Sequence, residues 1–190
     1  IGGLGIYLGL LSVSILSPVL MADYKNLLLL SGFVLLIGVL DDLYEIRASL
    51  RLLCHGSAAW AMAWLANIKL ESLGDIVFMG PVQLGILAVP VTIFATVGVI
   101  NAVNMSDGLD GLSGGLVTIA LVFLSIAALI AGESAVLSFS QLLSVALLAF
   151  LTFNFRMLWK QSALLYLGDA GSTLLGFILA WLIIAATQGS

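Results

Sequence analysis

Three short acidic segments interrupt an otherwise apolar chain. They are Asp41-Asp42-Leu43-Tyr44-Glu45, the stretch from Asn101 through Asn104 to Ser106-Asp107-Gly108-Leu109-Asp110-Gly111, and Gly168-Asp169-Ala170-Gly171-Ser172. A carboxylate drawn to a helix centre in a bilayer costs about 3 kcal/mol on insertion scales, so acids in apolar surroundings are candidates for function. Gathered in one place, these carboxylates would repel one another unless a cation joined them. Hard oxygen ligands in small number, with water left on the ion, suit Mg²⁺ that also holds substrate phosphates, with Mn²⁺ as its substitute. Such an ion stabilises the charge that develops between the entering and leaving oxygens of phosphoryl transfer. The glycines agree with this chemistry. Gly108, Gly111, Gly168 and Gly171 let the backbone pass close to a ligand, and a helix starting near Gly171-Ser172 would turn free N–H groups toward a phosphate.

Each segment also has a plainer reading. Asp41-Asp42 at the end of a span serves as a solvated cap, and Asp169 between glycines as an ordinary N-cap. Asp107 and Asp110, three apart, face the same way if they share a helical turn. Gly5 and Gly9, like Gly111 and Gly115, match small-residue helix packing. His55 follows Arg51 by four residues and reads as a satisfied interfacial histidine; Cys54 is the lone cysteine, so no internal disulfide exists.

The elements that must position these residues are membrane spans. Hydrophobic residues make up 62% of the 190 and charged residues 8%, against about 25% charged in soluble domains, so the solvent is lipid. Six Lys and Arg in the whole chain make no basic stripe, which excludes a nucleic-acid binder. The apolar runs carry no strand-like alternation and predict an all-α, polytopic transmembrane bundle. Seven spans fall at 4–22, 27–40, 51–67, 83–103, 113–131, 135–153 and 171–187. The first link between spans is read at Asp23-Tyr24-Lys25-Asn26, which leaves the second span short for about 30 Å of hydrocarbon. Helices alternate direction, so the links after the second, fourth and sixth spans share one face. That face holds all three acidic segments, and Arg47, Arg51, Arg156 and Lys160 as well; the other holds Lys25 and Lys69. The excess of basic residues predicts that the acidic face is cytoplasmic. The chain opens at Ile1-Gly2-Gly3 without a charged leader and reads as a piece of a longer protein.

With order and spacing in view, the three segments resemble the successive signatures of the polyprenyl-phosphate N-acetylhexosamine-1-phosphate transferase family, of glycosyltransferase 4 type. The resemblance covers essentially the whole chain. Asn104-Met105-Ser106-Asp107-Gly108-Leu109-Asp110-Gly111 followed by Gly168-Asp169-Ala170-Gly171-Ser172-Thr173 is most similar to the bacterial undecaprenyl-phosphate N-acetylglucosamine-1-phosphate transferase branch. The muramoyl-pentapeptide branch usually has Leu-Thr at Met105-Ser106 and Thr at Ala170. The first segment often ends in Asp, where Glu45 stands here.

The resemblance implies a single transmembrane catalytic domain over 1–190, in the inner or plasma membrane, with its site at the cytoplasmic face. It implies transfer of a sugar-1-phosphate from a UDP-sugar donor to a polyprenyl phosphate acceptor, with release of UMP, and leaves room for a homodimer. Asp169 is then the main Mg²⁺ ligand with Asn104 in support. Asp107, Gly108, Leu109 and Asp110 line the uridine end of the donor pocket. Asp41 and Asp42 lie near the acceptor phosphate, one of them accepting its proton; Glu45, Asn101 and Arg47 are further substrate-binding candidates. The family's opening helix and early loop, and its later helices with a His-rich loop, lie outside the chain. The donor reads as UDP-N-acetylglucosamine, with another UDP-sugar such as UDP-muramoyl-pentapeptide as the alternative. A cation-coupled transporter is the competing class, and predicts acids in discontinuous helices and an internal repeat.

Overall fold

The computed structural model describes residues 2–75, 80–155 and 163–188. Among them seven α-helices follow in order: α1 Gly2–Leu16, α2 Pro18–Tyr44, α3 Ala48–Leu65, α4 Ala88–Met105, α5 Leu112–Ala131, α6 Ser134–Asn154 and α7 Gly168–Gln188. The described residues contain no β-strand, only an isolated antiparallel bridge between Ser72 and Gln83. Five of these helices are long and apolar enough to cross a membrane: α2, α5, α6, α7 and α4 extended by the 3₁₀ turn Gly85–Leu87. The chain is therefore a multi-pass membrane protein with an all-α fold. Of the other two, α1 is apolar but has 15 residues, and α3 carries Arg51 and His55 within its 18.

The first boundary differs from the sequence expectation. The break lies at Ser17, not at 23–26. Ser17 is extended (φ −114°) and its hydroxyl accepts from the Leu20 N–H, while Pro18 takes the first helical position, where its missing N–H costs nothing. Asp23, Lys25 and Asn26 instead ride on the outer side of α2. Tyr24 between them is buried against Phe139, with ring centroids 4.4 Å apart. No glycine or proline stands among these four residues to stop a helix. The second span is consequently 27 residues, or about 40 Å at 1.5 Å per residue. Because α1 and α2 form a tight antiparallel hairpin, the Tyr7 hydroxyl donates to Leu28 O at 2.9 Å.

Helix α7 is the axis of the bundle. Leu174, Leu175, Phe177, Ile178 and Leu182 are fully buried around its circumference, as an all-round apolar helix requires. Between helices in lipid the gain comes from close van der Waals packing, and glycines permit it. A methyl group at Gly38 of α2 would stand 2.4 Å from Ala170 Cα, and one at Gly176 would stand 2.7 Å from Ile100 Cα of α4.

Contacts between helix ends fix the two faces of the bundle. At one end Gly2 N donates to Tyr166 O, Asp42 meets Asp169, and Asn104 meets Asp169. At the other, Asn26 donates to Leu65 O, and Gln188 donates to Asn67 O and Lys69 O. The alternation expected from the sequence thus brings the three acidic segments to one face. Arg156 and Lys160, which the sequence reading assigned to that face, lie outside the described residues.

Candidate active site

The site is built where the C-terminal ends of α2 and α4 meet the start of α7. Helix α2 stops because Glu45 turns left-handed (φ 49°), its N–H donating to Asp41 O at 2.9 Å. Asp41 is buried. Its Oδ1 accepts from the Ile46 N–H at 2.8 Å, and its Oδ2 is paired with the Arg51 guanidinium. Asp42 reaches across the bundle: Oδ1 accepts from Asp169 N–H at 2.8 Å and Oδ2 from Ala170 N–H at 3.2 Å. These are N–H groups of the first turn of α7, which have no partner within their own helix, and a carboxylate there also meets the positive end of the helix dipole.

Gly168 makes that approach feasible. Its φ is +74°, and a methyl group on it would stand 2.8 Å from Asp42 Oδ2. A non-glycine residue in the left-handed region costs about 1–2 kcal/mol, and here it would also push away the capping carboxylate. Gly168→Ala is therefore expected to lower the unfolding temperature by several degrees and to open the first turn of α7, as read by faster amide exchange there. An unchanged unfolding temperature would show that the turn accommodates a side chain.

Asp169 sits in this first turn with its side chain 42% exposed. Its Oδ1 accepts from Asn104 Nδ2 at 2.6 Å, and the same amide lies 2.9 Å from Ser172 Oγ. Its Oδ2 is 4.0 Å from Arg51 Nη1. Three helices, α3, α4 and α7, so meet at one carboxylate. Asp107 and Asp110 do not share a helical turn, because α4 ends at Met105 and residues 106–111 form a turn. Asp107 nevertheless joins the cluster electrically. Burial first, then the charges of Asp169 and Asp42, push its carboxyl up to about 6, against a smaller opposing effect of the Gly168 N–H.

Asn154, at the end of α6, is the functional candidate that the sequence reading missed. It is buried, accepts from Gly111 N–H at 2.7 Å and donates to Leu165 O at 2.7 Å. One amide thus ties the 106–111 turn to the segment before α7. Beneath it lies a pocket of about 190 Å³ lined by Asp107, Gly108, Leu109, Asp110, Asn154 and Tyr166. The only signal in the sequence was a polar residue closing an apolar run.

Other candidates stand apart. Asn101 donates back to Val97 O within α4 at 2.8 Å. Glu45 and Arg47 are exposed at the α2–α3 corner. His55 is not a satisfied interfacial histidine: it is 1% exposed, and neither ring nitrogen has a hydrogen-bond partner among the described residues.

A cation held wholly by protein does not fit, because among the described residues no group of three or more His, Cys, Asp or Glu is gathered tightly enough to hold one. Mg²⁺ does not demand such a cage. It is commonly bound through one or two carboxylates and completed by water and substrate phosphates. The donor set here suits that mode, with a partly exposed Asp169 carboxylate and a neighbouring Asp107 whose carboxyl is raised by burial first and then by the charges of Asp169 and Asp42.

Helices and cluster together define a multi-pass membrane protein with a polar, acidic site at one end of its bundle. The pattern of Glycosyl transferase family 4 matches residues 25–187, and the chain belongs to that family. It is 29% identical over 190 residues to an undecaprenyl-phosphate alpha-N-acetylglucosaminyl 1-phosphate transferase of Yersinia pestis, covering all of this chain and 52% of that protein. It is 30% identical over 189 residues to the protein of the same name in Escherichia coli O157:H7, covering 51% of it. To a probable undecaprenyl-phosphate N-acetylglucosaminyl 1-phosphate transferase of Bacillus subtilis it is 31% identical over 177 residues, or 93% of this chain and 48% of that one. The chain spans about half the length of the curated relatives it matches.

Proposed function

We propose that the protein carrying this chain transfers N-acetylglucosamine-1-phosphate from UDP-N-acetylglucosamine to undecaprenyl phosphate at the cytoplasmic face of the plasma membrane, releasing UMP, in cell-envelope polysaccharide synthesis. The relatives' names support the lipid acceptor and the sugar phosphate. The observation that carries the reading is the convergence of Asp42, Asn104, Asp107 and Asp169 on one face of an apolar bundle. That clustering is costly to fold and is compensated when a phosphate-bound cation arrives.

Asp169 is the residue to hold Mg²⁺, with Asn104 fixing its carboxylate from the α4 side. A bound Mg²⁺ would supply charge stabilisation to the diphosphate as the bond to the leaving UMP opens. The pocket under the 106–111 turn takes the nucleoside end of the donor. Its backbone and the Asp110 carboxylate offer hydrogen-bond partners to a base edge, and the exposed Tyr166 offers a ring face. Arg51, partly exposed, lies 4.0 Å from the Asp169 carboxylate. In-line attack then needs only that the acceptor phosphate reach the sugar-bearing phosphorus from the lipid side.

The test is UMP release in membranes expressing the full-length protein. Release is expected only when UDP-N-acetylglucosamine, added undecaprenyl phosphate and Mg²⁺ are all present. Release with another UDP-sugar alone would move the donor assignment, and release without the lipid would sink the transfer reading.

A further inference from the structure

We propose that the Asp41-Asp42 pair is a positioning bracket for Asp169 and does not take the proton of the acceptor. The inference rests on the reading of Asp169 as the cation-bearing carboxylate. All four carboxylate oxygens of the pair accept a hydrogen bond from the protein itself. Those of Asp41 take the Ile46 N–H and the Arg51 guanidinium; those of Asp42 take the Asp169 and Ala170 N–H groups. Asp41 is also buried, its side chain 4% exposed, which keeps it from a substrate arriving at the surface. Asp42 is exposed, but a proton taken on either of its oxygens would weaken the bond that oxygen accepts from the first turn of α7.

What the four bonds do accomplish is geometric. Asp42 holds the backbone of Asp169. Asp41 holds Arg51, whose Nη1 then lies 4.0 Å from Asp169 Oδ2, while Asn104 takes Oδ1. The carboxylate is thus fixed at its backbone and flanked at each oxygen, from α2, α3 and α4 respectively. Groups that orient a metal ligand in this way typically change metal affinity or activity by about 10–100-fold when removed.

The experiment uses the full-length protein with Asp42→Ala and Asp42→Asn. Amide exchange at 169 and 170, measured without donor or cation, is expected to speed up about five- to tenfold in Asp42→Ala. Asp42→Asn, which keeps one accepting oxygen, is expected to fall between Ala and wild type. UMP release should follow the same order, with the half-saturating Mg²⁺ rising about tenfold or more in Asp42→Ala and turnover partly restored at high Mg²⁺. The acidic limb of the pH profile should not move in Asp42→Asn. Unchanged exchange at 169 and 170 in both variants would overturn the bracket. So would an Asn variant as inactive as Ala with wild-type exchange, since charge or proton transfer would then be what Asp42 supplies. Should wild type release no UMP from any UDP-sugar, the functional reading fails, while the exchange arm, which needs no donor, still accepts or rejects the bracket.

Discussion

Asp169→Asn is expected to reduce UMP release by at least about 10³-fold while leaving the bundle folded. Charge stabilisation by a catalytic cation amounts to several kcal/mol, and each ~1.4 kcal/mol is a factor of ten in rate. The substitution keeps shape and volume. Its amide oxygen can still accept from Asn104 Nδ2, and the backbone N–H still meets Asp42. It removes the charge and replaces the oxygen beside Arg51 with an NH₂ group. A folding defect would therefore be a poor explanation of lost turnover, and a thermal unfolding curve on the purified variant checks this directly. Loss of turnover with an unfolding temperature at or above that of wild type is the expected pair of results. Turnover within tenfold of wild type would remove Asp169 from the centre of the chemistry and leave the family assignment untouched.

How far the sequence reached can be judged at particular residues. Parity of the spans brought Asp41, Asp107 and Asp169 to one face, and the contacts among Asp42, Asn104 and Asp169 bear that out. Parity survived an error in the first boundary, because moving the break from 23–26 to Ser17 shortens one helix and lengthens the next without changing their number. Hydropathy placed the break at the charges; capping physics placed it at Ser17-Pro18. Charged residues on the outer side of a helix do not end it, and Tyr24 between them faces the core. The roles inside the site were less legible. Asp42 caps a helix that begins 126 residues later, at Gly168, and no local pattern encodes a cap supplied from another helix. Asn154 had no motif around it, and its two hydrogen bonds exist only once α5, α6 and the segment before α7 are assembled. Spacing also suggested that Asp107 and Asp110 share a helical face, whereas the turn at 106–111 and the left-handed Gly111 (φ +81°) end that regularity.

Asp107→Asn is expected to stabilise the cation-free protein and, at the same time, to cut turnover about 10- to 100-fold by weakening the hold on the cation beside Asp169. The sign follows from linkage. The Asp107 carboxyl rises from an ordinary 3.8 to about 6 on folding, by burial and by the charges of Asp169 and Asp42. Between those values the unfolded chain gives up its proton before the folded one does. The folded state therefore loses stability as pH climbs from about 4 to about 6, and the deficit stays constant above that range. Asp107 is only half-buried, so solvent screening reduces the full linkage value to about 1 kcal/mol, or a few degrees in unfolding temperature. In detergent with a chelator present, Asp107→Asn should unfold a few degrees above wild type at neutral pH, with the difference shrinking toward pH 4. Saturating Mg²⁺ should narrow the gap from the other side, because a cation relieves the same repulsion in wild type. A gap that ignores both pH and cation would mean that Asn improves packing instead, and would sink the electrostatic account. A gap that closes under both conditions would show that the cluster trades fold stability for a place to hold phosphate-bound charge.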